Sequence, residues 1–341
     1  MSAEEDQGGW QLTESDPGVF TYVHRKISNF YSLMLAGCHS ELLKSLGVPL
    51  VVDDLYSLDS VSLSEFQPLH AFVFLFKWVG SSAEPTAGQY EPDFPGFFAH
   101  QVVNNACATL AVINAIGNIP GLPMSSQLSD LMSFTNGMDP QTRGMAITSS
   151  DWLREAHNTL SPPSTISLDG LGLPKTTEEA YHFIVYMPNM GCVYEFDGLK
   201  QYPINHGPYQ ESGEGWVAKA REVIEARIGT YPAGALEFSL LALHDDPVPS
   251  LQAHLVELQA AGRQSEAADL VVRLSTENSK RERWAFENSL RRHNYVGLIH
   301  ALLLAMAKSG KLEAAKEGAK KTMHDRIQKR KEKGESAMDE D

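Results

Sequence analysis

Three residues of the types that make a thiol nucleophile follow one another along the chain: Cys107, His182 and Asp197. Cys107 falls two residues after Asn105, in the first turn of an apolar run from Asn105 to Ile116. That run lacks Gly and Pro and is closed by Gly117 in a C-cap position, which predicts a buried helix. A thiol at a helix start meets unpaired amide groups and the positive end of the helix dipole, and both favour the thiolate. A cysteine on an apolar helix is nevertheless most often just a small buried hydrophobe, so a base has to be found. His182 opens one predicted strand, His182 to Met187, and Asp197 follows another, Val193 to Phe196, with Pro188-Asn-Met-Gly191 as a tight turn between them. A hairpin of this kind can bring a carboxylate to one ring nitrogen of an imidazole and leave the other to deprotonate a thiol. Cys, His and Asp would then form a thiol-protease triad. Spacing alone leaves the matter open, since a strand-start histidine is commonly structural and Asp197-Gly198 is an ordinary turn signal.

These side chains need a scaffold, and the periodicity supplies one. Ala71 to Phe76 is aromatic and branched throughout and reads as a central buried strand. Trp216 to Ile228 has helical spacing, and Leu236 to Leu243 reads as a strand. Residues 10–245 are therefore expected to be one mixed domain. At Asp245-Asp-Pro-Val-Pro249 the pattern changes; two prolines flanked by acids suit a domain junction, and residues 246–328 are expected to be a helical extension. Residues 160–180, rich in Pro and Gly, hold no clear element, and a loop of that length beside His182 suggests a lid. The ends, residues 1–9 and 329–341, have too little apolar content to pack and are expected to be disordered.

Composition excludes several classes. The chain has 341 residues, 43% hydrophobic and 21% charged, which is neither disordered nor fibrous. No apolar stretch approaches the roughly 20 residues of a membrane helix. The acidic start, MSAEEDQGG, is unlike a secretory signal, so the expected location is the cytosol and nucleus. Cys38, Cys107 and Cys192 lie far apart, which excludes a disulfide scaffold and an ordinary zinc finger; no metal or organic cofactor is expected. Ten of the 28 Lys/Arg but only four of the 43 Asp/Glu lie between 308 and 334, so an acidic body carries a basic tail.

The segments Gln101-Val-Val-Asn-Asn-Ala-Cys-Ala-Thr109, His182-Phe-Ile-Val-Tyr186 and Tyr194-Glu-Phe-Asp-Gly-Leu199 closely resemble the motifs of the ubiquitin C-terminal hydrolase family of cysteine deubiquitinases. Glu14-Ser-Asp-Pro-Gly-Val-Phe20 and Phe74-Leu-Phe-Lys-Trp78 match as well. The resemblance implies a papain-like α+β fold, a central antiparallel sheet flanked by helices, with a C-terminal all-α extension. It also implies Cys107 as nucleophile, His182 as general base and acid, Asp197 as its orienter and Gln101 as a donor to the oxyanion. Residues 160–180 would be the crossover loop that limits what reaches the cysteine. Leu290-Arg-Arg-His-Asn-Tyr-Val-Gly-Leu-Ile-His-Ala-Leu-Leu303 resembles the helical extension of the proteasome-associated member and of its larger Polycomb-linked relative. Length favours the first, whereas Tyr202-Pro-Ile-Asn-His-Gly-Pro208 is closer to the second. The partners implied are ubiquitin or its conjugates, a proteasomal ubiquitin receptor bound through the extension, and a chromatin-remodelling subunit, with neither membrane nor specific nucleic acid.

One segment departs from the family pattern. Tyr22 to His39 intervenes before Ser40-Glu-Leu-Leu-Lys-Ser-Leu-Gly47 and reads either as a helical insertion or as a retained intron, the second preferred. Damage there to a substrate surface would favour a rival reading, a ubiquitin-binding assembly subunit with weak catalysis. A protease for another ubiquitin-like modifier is the remaining alternative.

Overall fold

The computed structural model describes residues 9–10, 28–77, 87–160, 181–231 and 238–332. Among these, seven strands form one sheet: β1 (Leu50–Asp54), β2 (Leu69–Lys77), β3 (Gln89–Tyr90), β4 (Tyr181–Asn189), β5 (Cys192–Phe196), β6 (Ile204–Pro208) and β7 (Phe238–Asp245). Their order is β1-β7-β2-β4-β5-β6-β3, and every pairing is antiparallel. The helices are α1 (Ser28–Ser45), α2 (Ser60–Ser64), α3 (Cys107–Ile116), α4 (Ser126–Phe134), α5 (Pro140–Thr148), α6 (Asp151–Asn158), α7 (Trp216–Ile228), α8 (Pro247–Ala260), α9 (Gln264–Arg291), α10 (Val296–Lys308) and α11 (Leu312–Glu332). This is the α+β class with a helical C-terminal region that the sequence implies. No helix among the described residues is long and apolar enough to cross a membrane.

β2 lies between β7 and β4 and is buried on both faces, which is why its sequence is an unbroken apolar run. Phe72, Phe74 and Phe76 point to the face covered by α7, while Ala71, Val73 and Leu75 join the core that contains α3 and part of α1. The other strands alternate likewise. In β5, Tyr194 and Phe196 enter the α3 side and Val193 the α7 side.

Local chemistry moves several predicted boundaries. Asn105 has a φ of 65°, outside the right-handed helical region, so α3 starts at Cys107. Gly117 does end that helix, but with a φ of −65°; a Cβ there would come within 2.6 Å of the Phe97 ring, so the site needs glycine for space rather than for handedness. The hairpin turn is shorter than the four residues predicted. β4 runs to Asn189, and Met190-Gly191, with φ of 47° and 78°, makes a two-residue turn of the kind that matches strand twist.

The prolines at 247 and 249 begin α8. Asp246 accepts the Val248 N–H at 2.8 Å, and Pro247 occupies the first turn, where a missing N–H costs nothing. Helices α8 and α9 belong with the sheet: Lys280 Nζ reaches Asp53 Oδ2 at 2.8 Å, and Arg281 Nη2 reaches Asp246 Oδ1 at 2.5 Å. Trp284 of α9 lies so close to α1 that a Cβ on Gly37 would come within 2.9 Å of its ring. The two compact units divide between Arg292 and His293, well beyond the expected junction at 245/246.

The segment read as an insertion or retained intron is partly core. α1 runs without a break across the 39/40 boundary, and Ala36, Cys38 and His39 are buried. Residues 22–27 of that segment lie outside the described residues, as do the motif 14–20, Trp78, residues 161–180 of the expected loop, 1–8 of the N-terminus and 333–341 of the tail.

Candidate active site

Cys107 is the first residue of α3, and no side chain caps that helix end. The first main-chain bond of the turn is Leu110 N–H to Ala106 O at 2.8 Å, so the N–H groups of residues 107 to 109 lack a helical acceptor. An anion at Cys107 Sγ, or an oxygen anion formed next to it, is stabilised by those donors and by the aligned peptide dipoles.

His182 and Asp197 sit at one end of the β4–β5 hairpin. Val185 pairs with Phe196, so the next position sets Asp197 beside Ile184 and on the same sheet face as His182. His182 Nε2 and Asp197 Oδ1 are 2.6 Å apart, and the same oxygen accepts the Leu199 N–H at 2.9 Å. With Nε2 engaged, Nδ1 is the nitrogen left to face Cys107, whose neighbourhood helps to raise the His182 pKa. Burial pushes the His182 pKa down, but the bonds to Asp197 and Cys107 outweigh it and raise the value to about 9. Asp197 behaves in the opposite sense: burial pushes its pKa up, and the His182 bond and charge hold it below the usual carboxylate range. Cys107, His182 and Asp197 are 7%, 4% and 5% exposed, so the pair can exchange a proton with little interference from water.

Gln101 is tied to the same turn by its backbone, whose N–H donates to Gly198 O at 2.8 Å. Gly198 directly follows Asp197. Gln101 Oε1 is buried without a partner among the described residues. The four predicted residues are brought together in different ways: His182 and Asp197 joined side chain to side chain, Cys107 through its influence on the His182 pKa, and Gln101 through the main chain.

Sequence reasoning missed the support behind this hairpin. Glu195, fully enclosed between its neighbours, is bound by Arg227 Nη1 at 3.0 Å and His206 Nε2 at 3.1 Å. Arg227 also donates to Tyr186 Oη at 3.0 Å, and its guanidinium lies 4.5 Å from the centre of the Phe76 ring. Phe76 in turn meets the His182 ring at 5.8 Å, nearly perpendicular. Burial raises the Glu195 pKa, and the His206 bond and Arg227 charge more than reverse it, so the carboxylate stays ionised. The available signal was Tyr194-Glu-Phe-Asp197, in which a charged residue falls at an inward position of an alternating strand.

Fold and site together are those of a cysteine hydrolase: a thiol at an open helix end, and an imidazole–carboxylate pair presented by a hairpin. Residues 36–229, more than half of the chain, match the family model described as ubiquitin carboxyl-terminal hydrolase, family 1, and residues 267–312 match one described as ubiquitin carboxyl-terminal hydrolases. The chain belongs to the ubiquitin C-terminal hydrolase family and is a thiol-dependent deubiquitinating enzyme. It is 34% identical over 330 residues to ubiquitin carboxyl-terminal hydrolase ubh-4 of Caenorhabditis elegans, covering 92% of this chain and 95% of that one. It is 35% identical over 257 residues to ubiquitin carboxyl-terminal hydrolase BAP1 of Danio rerio, covering 70% of this chain but 31% of the relative. The crystal structure of Trichinella spiralis UCH37 bound to ubiquitin vinyl methyl ester superposes with a TM-score of 0.62 at 28% identity, covering 81% of this chain and 99% of that one. The first family match begins at Ala36, so residues 36–39 fall inside it.

Proposed function

We propose that Cys107 cleaves the bond after the C-terminal glycine of ubiquitin, with His182, Asp197 and Gln101 in the roles their geometry allows. The thiol proton passes to His182 Nδ1, and the thiolate adds to the glycine carbonyl. The resulting oxyanion is met by the Cys107 N–H and Gln101 Nε2. His182 then protonates the leaving amine as the C–N bond breaks, leaving a thioester. Neutral His182 takes a proton from water, whose oxygen displaces the thiolate and releases the ubiquitin carboxylate. Asp197 keeps Nε2 occupied throughout and stabilises the imidazolium. One observation supports the reading most: a buried His182–Asp197 pair, 2.6 Å apart at two strand ends, whose imidazole pKa is raised in part by Cys107 at a helix start.

Turnover of a fluorogenic ubiquitin C-terminal amide by wild type and by Cys107→Ala tests it. Activity in the first and none in the second is expected. If neither cleaves and both still bind ubiquitin, the chain is an assembly subunit.

The proteasome-associated type is the reading best supported by extent of match. The chain aligns nearly end to end with ubh-4 but with less than a third of BAP1. α10 supports docking through the extension, because among its residues none is buried although Leu298, Leu302, Leu303 and Leu304 are apolar. The proposed occupant is a proteasomal ubiquitin receptor, which places the enzyme in cytosol and nucleus. A chromatin-linked partner is the second reading, favoured by the 35% identity to BAP1. Capture of the full chain by each candidate receptor, with Leu302→Asp as control, separates them.

A further inference from the structure

The chain from Phe97 to Gln101 lies in neither strand nor helix, yet Phe98 and Ala99 are 2% and 0% exposed. A buried irregular segment has to satisfy its amide groups one at a time, and here side chains do so. Asn114 on α3 accepts the Ala99 N–H on Oδ1 at 2.8 Å and donates from Nδ2 to Ala99 O at 3.1 Å. Asn118, just past the end of the helix, repeats the pattern on Phe97, accepting its N–H at 2.9 Å and donating to its O at 2.7 Å. Each carboxamide thus acts as a piece of neighbouring strand. The spacing makes this possible: four helical residues advance about 6 Å, and two extended residues advance about 6.6 Å. Asn118 is itself fixed, because Nδ2 also donates to Asn114 O at 2.8 Å and Oδ1 accepts from Asn189 Nδ2 at 3.2 Å. Three further bonds hold the segment: Arg143 Nη1 to Phe98 O at 2.7 Å, the His100 N–H to Pro140 O at 2.9 Å and the Gln101 N–H to Gly198 O at 2.8 Å.

We infer that Asn114 and Asn118 are positioning residues for ubiquitin hydrolysis. The helix that begins with Cys107 also grips the segment that ends with Gln101, so nucleophile and side-chain oxyanion donor are set on one rigid body before substrate arrives. The inference rests on the reading of Gln101 as that donor. Neither asparagine touches the reacting atoms; each acts through the backbone of residues 97 to 101.

The test uses the full chain and four variants: Gln101→Ala, Asn118→Ala, Asn118→Asp and the double Gln101→Ala/Asn118→Ala. The readouts are kcat and KM for a fluorogenic ubiquitin C-terminal amide, and the rate at which iodoacetamide alkylates Cys107, followed by peptide mass. Alkylation needs the thiolate but forms no oxyanion. Gln101→Ala should lower kcat about 100-fold. Asn118→Ala should lower kcat about tenfold, a loss of position rather than of a donor, and should leave KM and alkylation within about twofold. Asn118→Asp keeps the acceptor for Phe97 and loses both donors, so its kcat should fall between; where Asn118→Ala does not fold, this variant carries the comparison. In the double variant the Asn118 change should add less than about twofold to the Gln101 loss, the non-additivity of residues acting as a unit. An unchanged kcat in Asn118→Ala, a full additive loss in the double variant, or alkylation slowed as much as turnover overturns the positioning role alone. An unchanged kcat in Gln101→Ala overturns the donor reading and this one with it.

Discussion

Helices α3 and α10 are made of nearly the same material and meet opposite fates. Both are short runs of Leu, Ile, Val and Ala with almost equal mean apolar character. Every residue of α3 is buried, and none of α10 is. The difference lies in what each helix meets within its own unit. α3 is covered by β4, β5 and α1, which the same polypeptide folds around it. Within its own unit α10 has α11 as a neighbour, a helix too rich in Lys and Glu to cover it. Hydrophobicity says that a surface will be buried; only the partner list says by what.

The contrast can be tested from its strongest consequence downward. Replacing the first residue of α3, Cys107→Ala, should reduce turnover of a ubiquitin C-terminal amide by at least about 10⁴-fold, because a triad loses its function as a unit. Deeper in the same helix Leu110 is 1% exposed; Leu110→Ala should lower the unfolding free energy by about 3–4 kcal/mol in urea titration, the cost of a core cavity. A pH series probes the charge held at the end of the β4–β5 hairpin. His182 has its folded pKa raised to about 9 from 6.5, so its stabilising contribution is complete below about pH 6.5 and is lost as the pH rises through about 9. A fall of up to about 3 kcal/mol across that window is expected, and the corresponding slope should vanish in His182→Gln. The smallest effect belongs to α10. Leu302 is 55% exposed, and Leu302→Ala should change the stability of the free chain by less than about 0.5 kcal/mol while weakening capture by the receptor. If it instead destabilised the free chain as Leu110→Ala does, α10 would be a packed helix and the contrast would fail.

Elements whose cause is local could be read from the sequence. β2, the β4–β5 hairpin, α7 and the body of α3 each announce themselves by composition and period, and Cys107, His182, Asp197 and Gln101 by their place in motifs. What could not be read depends on distant partners. β1 ends in Asp53-Asp54, and both acids are buried; Asp53 is held by His244 Nε2 at 3.0 Å and by Lys280. Those partners are 191 and 227 residues away. Asn114 and Arg227 were illegible for the same reason, since an Asn within an apolar helix and an Arg near a helix end have no local mark of their task. β3, two residues long, is too short for any period to show. The prolines at 247 and 249 signalled a boundary correctly as a change of element; only tertiary contacts show that α8 and α9 stay with the sheet.

The near-contact of Gly37 with Trp284 has a bearing on how the enzyme is made. A nascent chain that has emerged only as far as β7 already contains Cys107, His182 and Asp197, yet the flank of α1 that receives the indole is still bare. The lysine that neutralises Asp53 also arrives only with α9. Synthesis thus delivers Cys107, His182 and Asp197 well before α9, so a ribosome that stalls between them leaves these side chains on an unfinished body.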